Sequence, residues 1–184
     1  MKNESEKCKF CDSIHKGKHC SYYNEGINRE IAFIFSCPGN KEKKNNFPIS
    51  GATGEAFSLL LKKMKEKELI KEPYNCRYDF RITNATTNIE SKSETNRTEA
   101  KNSDVIKTKN KQRLLIEIKD FETIICFGKK AKHIVSQLPT LKDKKILYVR
   151  HLSPTAYINL KINNKTHEGR AQYVFDEVIE QYKS

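Results

Sequence analysis

The stretch Ile31-Ala32-Phe33-Ile34-Phe35 decides how this chain is read. Five apolar residues in unbroken succession, with β-branched and aromatic side chains among them, are the pattern of a strand covered on both faces. A loop rich in Lys, Asn, Gly and Pro follows from Ser36 to Thr53. Phe57, Leu60, Leu61 and Met64 then recur at helical spacing with Lys and Glu on the opposite face, which predicts a helix from about Gly54 to Leu69. Glu55 near its start suits the helix dipole. Outward from this unit the alternation continues. Phe80 to Ala85 reads as a second strand, Thr123 to Phe127 (broken by Gly128) as a third, and Ile146 to Val149 as a fourth. Helices are expected over Lys109 to Lys119, along Ala131, Ile134, Val135 and Leu138 up to Pro139, and along Val174, Phe175, Val178, Ile179 and Tyr182. From Thr86 to Ser103 the composition shifts to Thr, Asn, Ser, Glu and Lys, the mark of a long polar loop or a partly disordered insertion.

Strand and helix in regular alternation imply an α/β domain: a three-layer α/β/α sandwich around a four-stranded parallel sheet. The expected division is an N-terminal appendage over residues 1–28 and the α/β domain over residues 29–184. In such sheets ligands bind beyond the carboxyl ends of the strands. Ser36 to Thr53, Asn84 onward, Gly128 to Lys130 and His151 to Pro154 should therefore converge on one crevice.

The 184 residues suffice for one domain with a real core. Lys plus Arg number 35 against 23 Asp plus Glu, a formal net charge of +12. An AT-rich genome, which favours Lys and Asn, accounts for part of that excess; a polyanionic partner, most simply nucleic acid, accounts for the rest. No apolar run approaches the roughly 18 residues that cross a bilayer, and the opening residues lack the apolar stretch of a signal peptide. A cytoplasmic protein with reduced thiols and no membrane association is expected, and a monomer.

Three of the six cysteines crowd the N-terminus in the order Cys8-x2-Cys11-x3-His15-x4-Cys20. This is close to a zinc knuckle with a middle gap one residue short. Two thiolates two residues apart can face one tetrahedral ion from a single turn. His19 competes with His15 for the remaining position, but it adjoins Cys20, and adjacent residues rarely ligate one metal, so His15 is favoured. The expected ligands of a structural zinc are Cys8, Cys11, His15 and Cys20. Cys37 and Cys76 stand apart, and Cys126, in an apolar run, reads as a small core residue.

The first strand ends in Phe35-Ser36-Cys37-Pro38-Gly39-Asn40, and its loop closes with Pro48-Ile49-Ser50-Gly51-Ala52-Thr53-Gly54 at the start of the amphipathic helix. Gly51 and Gly54 allow close backbone approach to a ligand beside free helix N–H groups. No Gly-Lys-Ser or Gly-Lys-Thr follows, so this is not a P-loop. Ile82-Thr83-Asn84 ends the second strand, Phe127-Gly128-Lys129-Lys130-Ala131 leaves the third, and His151-Leu152-Ser153-Pro154 follows the fourth. In this order, from about Ile31 to Tyr157, the four pieces resemble the uracil-DNA glycosylase superfamily, nearest its bacterial and archaeal families with a G-E-A-P-G first motif, a P-F-V-G-x-A-G stretch, an I-T-N strand end and an H-P-S motif.

The resemblance implies hydrolysis of the N-glycosidic bond of an extruded base in DNA, leaving an abasic site, with no catalytic cofactor and no lyase lysine. It implies that Asn84 hydrogen-bonds the pyrimidine edge, that His151 stabilises the departing base anion and that Ser153 touches a phosphate. The first-motif loop, with Cys37 and Pro38, would position the attacking water and line the base pocket. The stacking aromatic falls at Ile49, with Phe47 two residues earlier. Lys41, Lys43, Lys44, Ser50 and Gly51 would hold the DNA backbone. Such chemistry needs a flipped base, a donor for the leaving anion and an amide able both to donate and to accept.

The chain departs from the family pattern at Phe35 for the first Gly, Ser36 for the acidic position, Cys37 before the Pro, Ile49 for the aromatic and Leu152 for the second residue of the His motif. Nothing like the family's iron–sulfur cysteines follows Asn84, so the N-terminal cysteines are assigned to zinc. With no carboxylate at Ser36, water activation falls to Asn40, Glu42 or Ser36 itself, or is left largely to electrostatics. An altered pocket opens the substrate to a deaminated or a bulky modified pyrimidine, in repair or in defence against viral DNA. A catalytically silent DNA-binding relative is the second reading, and a protein that binds free nucleotides the third. His133 and His167 receive no role, and Lys62, Lys63, Lys65 and Lys67 read as a solvated helix face.

Overall fold

The computed structural model describes residues 17–71, 74, 76–160 and 166–183. The apolar run Ile31–Phe35 forms β3, all five residues buried. Its parallel neighbours are β4 (Arg81–Asn84) on one side and β5 (Thr123–Phe127) on the other, and β5 pairs in parallel with β6 (Lys145–Val149). Two further strands, β1 (His19–Cys20) and β2 (Tyr23–Asn24), form an antiparallel hairpin, and β2 pairs antiparallel with β4. The sheet is thus six-stranded, in the order β1-β2-β4-β3-β5-β6, rather than four-stranded. Two-residue strands carry no alternation that a sequence pattern can display. What fixes them is tertiary: the fully buried Asn24 donates from Nδ2 to the carbonyls of Tyr78 and Phe80, 2.8 Å each. The hairpin spanning residues 19–24 therefore extends the sheet.

The period-two pleat divides β3 between two cores. Ile31, Phe33 and Phe35 face the helices α2 (Ala52–Glu66) and α7 (His167–Lys183), packing with Phe57, Leu60, Leu61, Met64, Val174 and Val178. Ala32 and Ile34 face the other layer, where α5 (Thr108–Ile118) supplies Leu114 and Ile118 and α6 (Gly128–Val135) supplies Ala131 and Ile134. The first core is aromatic. Phe35 stacks on Phe127 with centroids 4.4 Å apart, and Phe57 meets Phe33 edge-on at 4.8 Å. Each such buried ring contributes about 1.5–3 kcal/mol. Arg170 of α7, 1% exposed, ties the layer to the loops by donating to the carbonyls of Leu152 and Ala52.

The polar stretch after β4 is ordered, against the expectation of a loose loop. It contains α3 (Lys92–Thr95) and α4 (Asn102–Val105) and lies against α1 (Asn40–Asn45), the helix that leaves the β3 loop. Hydrogen bonds do here what apolar periodicity does elsewhere: Asn40 Nδ2 donates to Ser93 Oγ at 2.8 Å, Lys43 pairs with Glu94 at 2.8 Å, and the Glu90 N–H donates to the Pro38 carbonyl at 2.9 Å. The Glu90 carboxylate, 1% exposed, takes a two-pronged bond from Arg97. Burial alone would raise its pKa, but the Arg97 and Thr95 hydrogen bonds outweigh this and hold it below the ordinary range. Among the described residues no helix is long and apolar enough to cross a membrane.

Candidate functional site

β3 has neighbours on both sides whose connections leave in opposite directions, so a crevice opens beyond the carboxyl ends of β3 and β5. Every parallel strand delivers a residue to it. Ser36 and Cys37 follow β3, Asn84 ends β4, Gly128 follows β5, and His151 stands two residues after β6. Asn84 and His151 line one cavity of about 60 Å³, together with Phe35 and Cys37. Glu42, Ile49 and Thr53 close its remaining walls. His151 also borders two wider cavities, of about 220 and 520 Å³, and Ser36 borders both with it. The single imidazole is the partition between a small chamber and an open groove.

The imidazole is held by packing. Phe35 meets it edge-on, centroids 5.9 Å apart. Gly128 has φ +85°, and a Cβ there would stand 3.0 Å from the His151 Cβ, so only glycine lets the ring sit this close to the end of β5. His151 Nδ1 accepts from the Ser153 N–H at 3.1 Å. In the neutral ring the proton then resides on Nε2 as a donor. Burial pushes the pKa down to about 4, so the ring is neutral at physiological pH.

Asn84, 1% exposed, is held by hydrogen bonds instead. Its Nδ2 donates to the Tyr22 carbonyl at 3.1 Å, and its backbone carbonyl accepts from Arg113 at 2.8 Å. Glu42 sits in the third position of α1, and its Oε2 accepts from the Gly39 N–H at 3.0 Å, so one carboxylate both caps its helix and borders the cavity. The Cys37 thiol is pushed up by burial and remains protonated, no nucleophile. Ser36 Oγ lies 3.9 Å from its sulfur. Ile49 lines the cavity with φ +43°, a left-handed conformation that a β-branched residue adopts only under constraint.

Other expected residues lie elsewhere. Asn40 is exposed and bonded to Ser93, so it does not border the cavity. Phe47 is buried between His19, stacked on it at 3.8 Å, and Tyr78. Aromatic packing captured it, and it borders none of the three cavities. Pro38 is buried, its carbonyl taken by Glu90. Lys41, Lys43 and Lys44 are exposed on α1, the helix that carries Glu42. Ser50 accepts from Asn45 at 3.2 Å and Gly51 caps α2. Gly54 serves the backbone rather than a ligand, since a Cβ there would meet the Ile49 carbonyl at 1.8 Å. Ser153 borders the 220 Å³ cavity with His151.

Of the expected zinc ligands, Cys8, Cys11 and His15 lie outside the described residues. Cys20 is a half-buried free thiol in β1. The His19 Nδ1 lies 3.0 Å from the Asn46 carbonyl. Among the described residues no cluster of three or more His, Cys, Asp or Glu side chains forms a metal site. Cys76 is disulfide-bonded, against the expectation of reduced thiols throughout, while Cys37 and the buried Cys126 are free.

Glu42 is one of the water-activating candidates and Thr53 lies in the stretch expected at the crevice, whereas Tyr22 and Arg113 are not anticipated. Glu42 has a visible signal, a carboxylate three residues past the Pro-Gly; Tyr22 and Arg113 have none, because their bonds join segments far apart in the chain. The residues that line the small chamber carry an imidazole, an amide, a carboxylate and apolar side chains, a set that can meet both the polar edge and the flat face of a small heterocycle. No protein-family model matches this chain, and no curated protein is similar enough to match it.

Proposed function

We propose that the protein is a monofunctional DNA glycosylase that removes uracil or a modified pyrimidine from DNA. The single observation that carries this reading is that Asn84 and His151 share one small cavity at the carboxyl rim of the sheet. The chamber is small, about 60 Å³, far below the ~300 Å³ or more typical of pockets for drug-sized ligands. The net charge of +12 supports a DNA partner. In the proposed reaction the extruded base enters the chamber with its polar edge on Asn84. Water attacks the sugar C1′, the C–N bond breaks, and its electron pair leaves with the base. The neutral His151 donates from Nε2 to the base oxygen that gains charge, which favours the anion without a proton transfer. Glu42 orients the water and takes its proton. Lys41, Lys43, Lys44 and Ser153 serve the backbone. The protein acts as a cytoplasmic monomer in this reading, and the metal content of the purified protein, measured with and without reductant, tests a structural zinc on Cys8, Cys11, His15 and Cys20 against the disulfide of Cys76.

A catalytically silent DNA binder is the second reading, favoured by Ser36 at the acidic position and by the bond that ties Glu42 to Gly39. One experiment separates the two. Labelled oligonucleotides carrying uracil, hypoxanthine or hydroxymethylated or glucosylated cytosine are incubated with protein, and abasic sites are cleaved with alkali. The expected result is scission at one pyrimidine substrate, lost in Glu42→Gln with DNA binding intact. Salt-sensitive binding with no scission of any substrate by folded protein overturns the enzyme and leaves the binder.

A further inference from the structure

We propose that Arg113 is a positioning residue that, with the β1–β2 hairpin, fixes which end of the Asn84 amide faces the cavity and thereby which base edge is accepted. The substrate part of this inference rests on the glycosylase reading; its geometry does not. Tyr22, in the turn between β1 and β2, takes the Asn84 Nδ2 on its backbone carbonyl at 3.1 Å. Arg113 of α5 reaches the same residue from the helix layer. Its Nη2 donates to the Asn84 carbonyl at 2.8 Å and its Nη1 to Thr83 Oγ1 at 3.1 Å. Its guanidinium also lies 5.3 Å over the Tyr22 ring. One planar group therefore touches both the residue that presents the amide and the residue that receives it.

The guanidinium is itself locked. Nη1 bonds Glu117 at 2.6 Å, and Nε and Nη2 bond Asn110 Oδ1. Asn110 in turn donates to the carbonyls of Ala85 and Val105. A rigid fork does this and a lysine does not.

The consequence is chemical. The two ends of an amide have nearly the same shape, so a loose one presents either. Turning Asn84 over would set its oxygen against the Tyr22 carbonyl oxygen, two acceptors facing each other away from water. With one N–H held by the Tyr22 carbonyl the amide keeps one orientation, and under the glycosylase reading its Oδ1 requires an N–H from the base edge it meets. An imide such as the N3–H of uracil supplies one. Cytosine offers a lone pair there.

The test has two arms. In the first, the side-chain amide signals of Asn84 are identified by NMR through their loss in Asn84→Asp, and their exchange with water is measured in the DNA-free protein. Slow exchange is expected in the wild type, accelerated about tenfold or more in Arg113→Ala and in Arg113→Lys. Unchanged exchange in both variants overturns the clamp. In the second, wild type and variants are compared on oligonucleotides that differ only by uracil or cytosine at one position, in excision and in binding. The preference for uracil should fall about tenfold or more in the variants, while affinity for undamaged DNA and its salt dependence stay unchanged. Faster exchange with an undiminished uracil preference overturns the specificity role. Faster exchange in a protein whose wild type shows no preference overturns the glycosylase reading and leaves the clamp standing. Should Arg113→Ala fail to fold, Arg113→Lys carries both arms.

Discussion

Asn84 and His151 line one small cavity, yet they are held by opposite means. The His151 wall is steric. A glycine with no Cβ, the edge of Phe35 and burial fix the ring, and among the described residues its one polar tie is the bond from the Ser153 N–H. The Asn84 wall is a polar lattice of Tyr22, Arg113, Asn110, Glu117 and Thr83. The difference teaches that the two groups answer to different forces. Packing sets the position and the protonation state of a titratable ring. Directional hydrogen bonds set the orientation of an amide, which has no charge to tune.

That contrast can be broken or sharpened in descending order of effect. The largest is expected from His151→Ala, which under the proposed activity lowers the cleavage rate about 10²–10³-fold, read by single-turnover kinetics, with DNA affinity unchanged. An equal loss of affinity would mean that the steric wall serves binding instead. The next is pH. The folded pKa of His151 is depressed to about 4 from an ordinary 6.5, so in that window the unfolded chain binds the extra proton. Stability therefore rises as pH goes from about 4 to 6.5, by at most about 3 kcal/mol, and is flat above. Denaturant titrations across the window should show this rise in the wild type and not in His151→Gln. Gly128→Ala comes third: its φ of +85° and the close His151 Cβ predict a loss of about 2 kcal/mol, measured by thermal unfolding. A neutral outcome would mean that the steric wall yields more readily than the polar one. The smallest effect belongs to neither wall. Lys43→Ala removes an exposed ion pair with Glu94 and should change stability by less than about 0.5 kcal/mol, while lowering the salt slope of DNA binding by about 1.

The His151 wall was largely legible in the chain. A histidine after a buried strand, and a glycine closing its neighbour, are local signals that burial and the pleat turn into a geometry. Asn84 was legible as a strand end, but its supports were not. Arg113 reads as one of many helix cations, and its tie to Asn84 spans 29 residues. The Tyr22 tie spans 62. Glu42 was one candidate among three because spacing alone cannot say which side of a one-and-a-half-turn helix meets a cavity. Phe47 looked like a stacking ring and instead packs on His19 and Tyr78, since an aromatic near an aromatic core is drawn into it.

By itself the sequence determined the alternation of buried strands and amphipathic helices, the parallel core and the strand ends where polar residues gather. These follow from periodicity and burial, properties of neighbours along the chain. Only the tertiary structure decided that a hairpin of two-residue strands extends the sheet, that the polar stretch after β4 is ordered against α1, and that Asn84 is held by both the hairpin and α5. Those features rest on hydrogen bonds between residues far apart in the chain, and such bonds leave no repeat in the sequence because each is made once, by one donor and one acceptor that folding brings together.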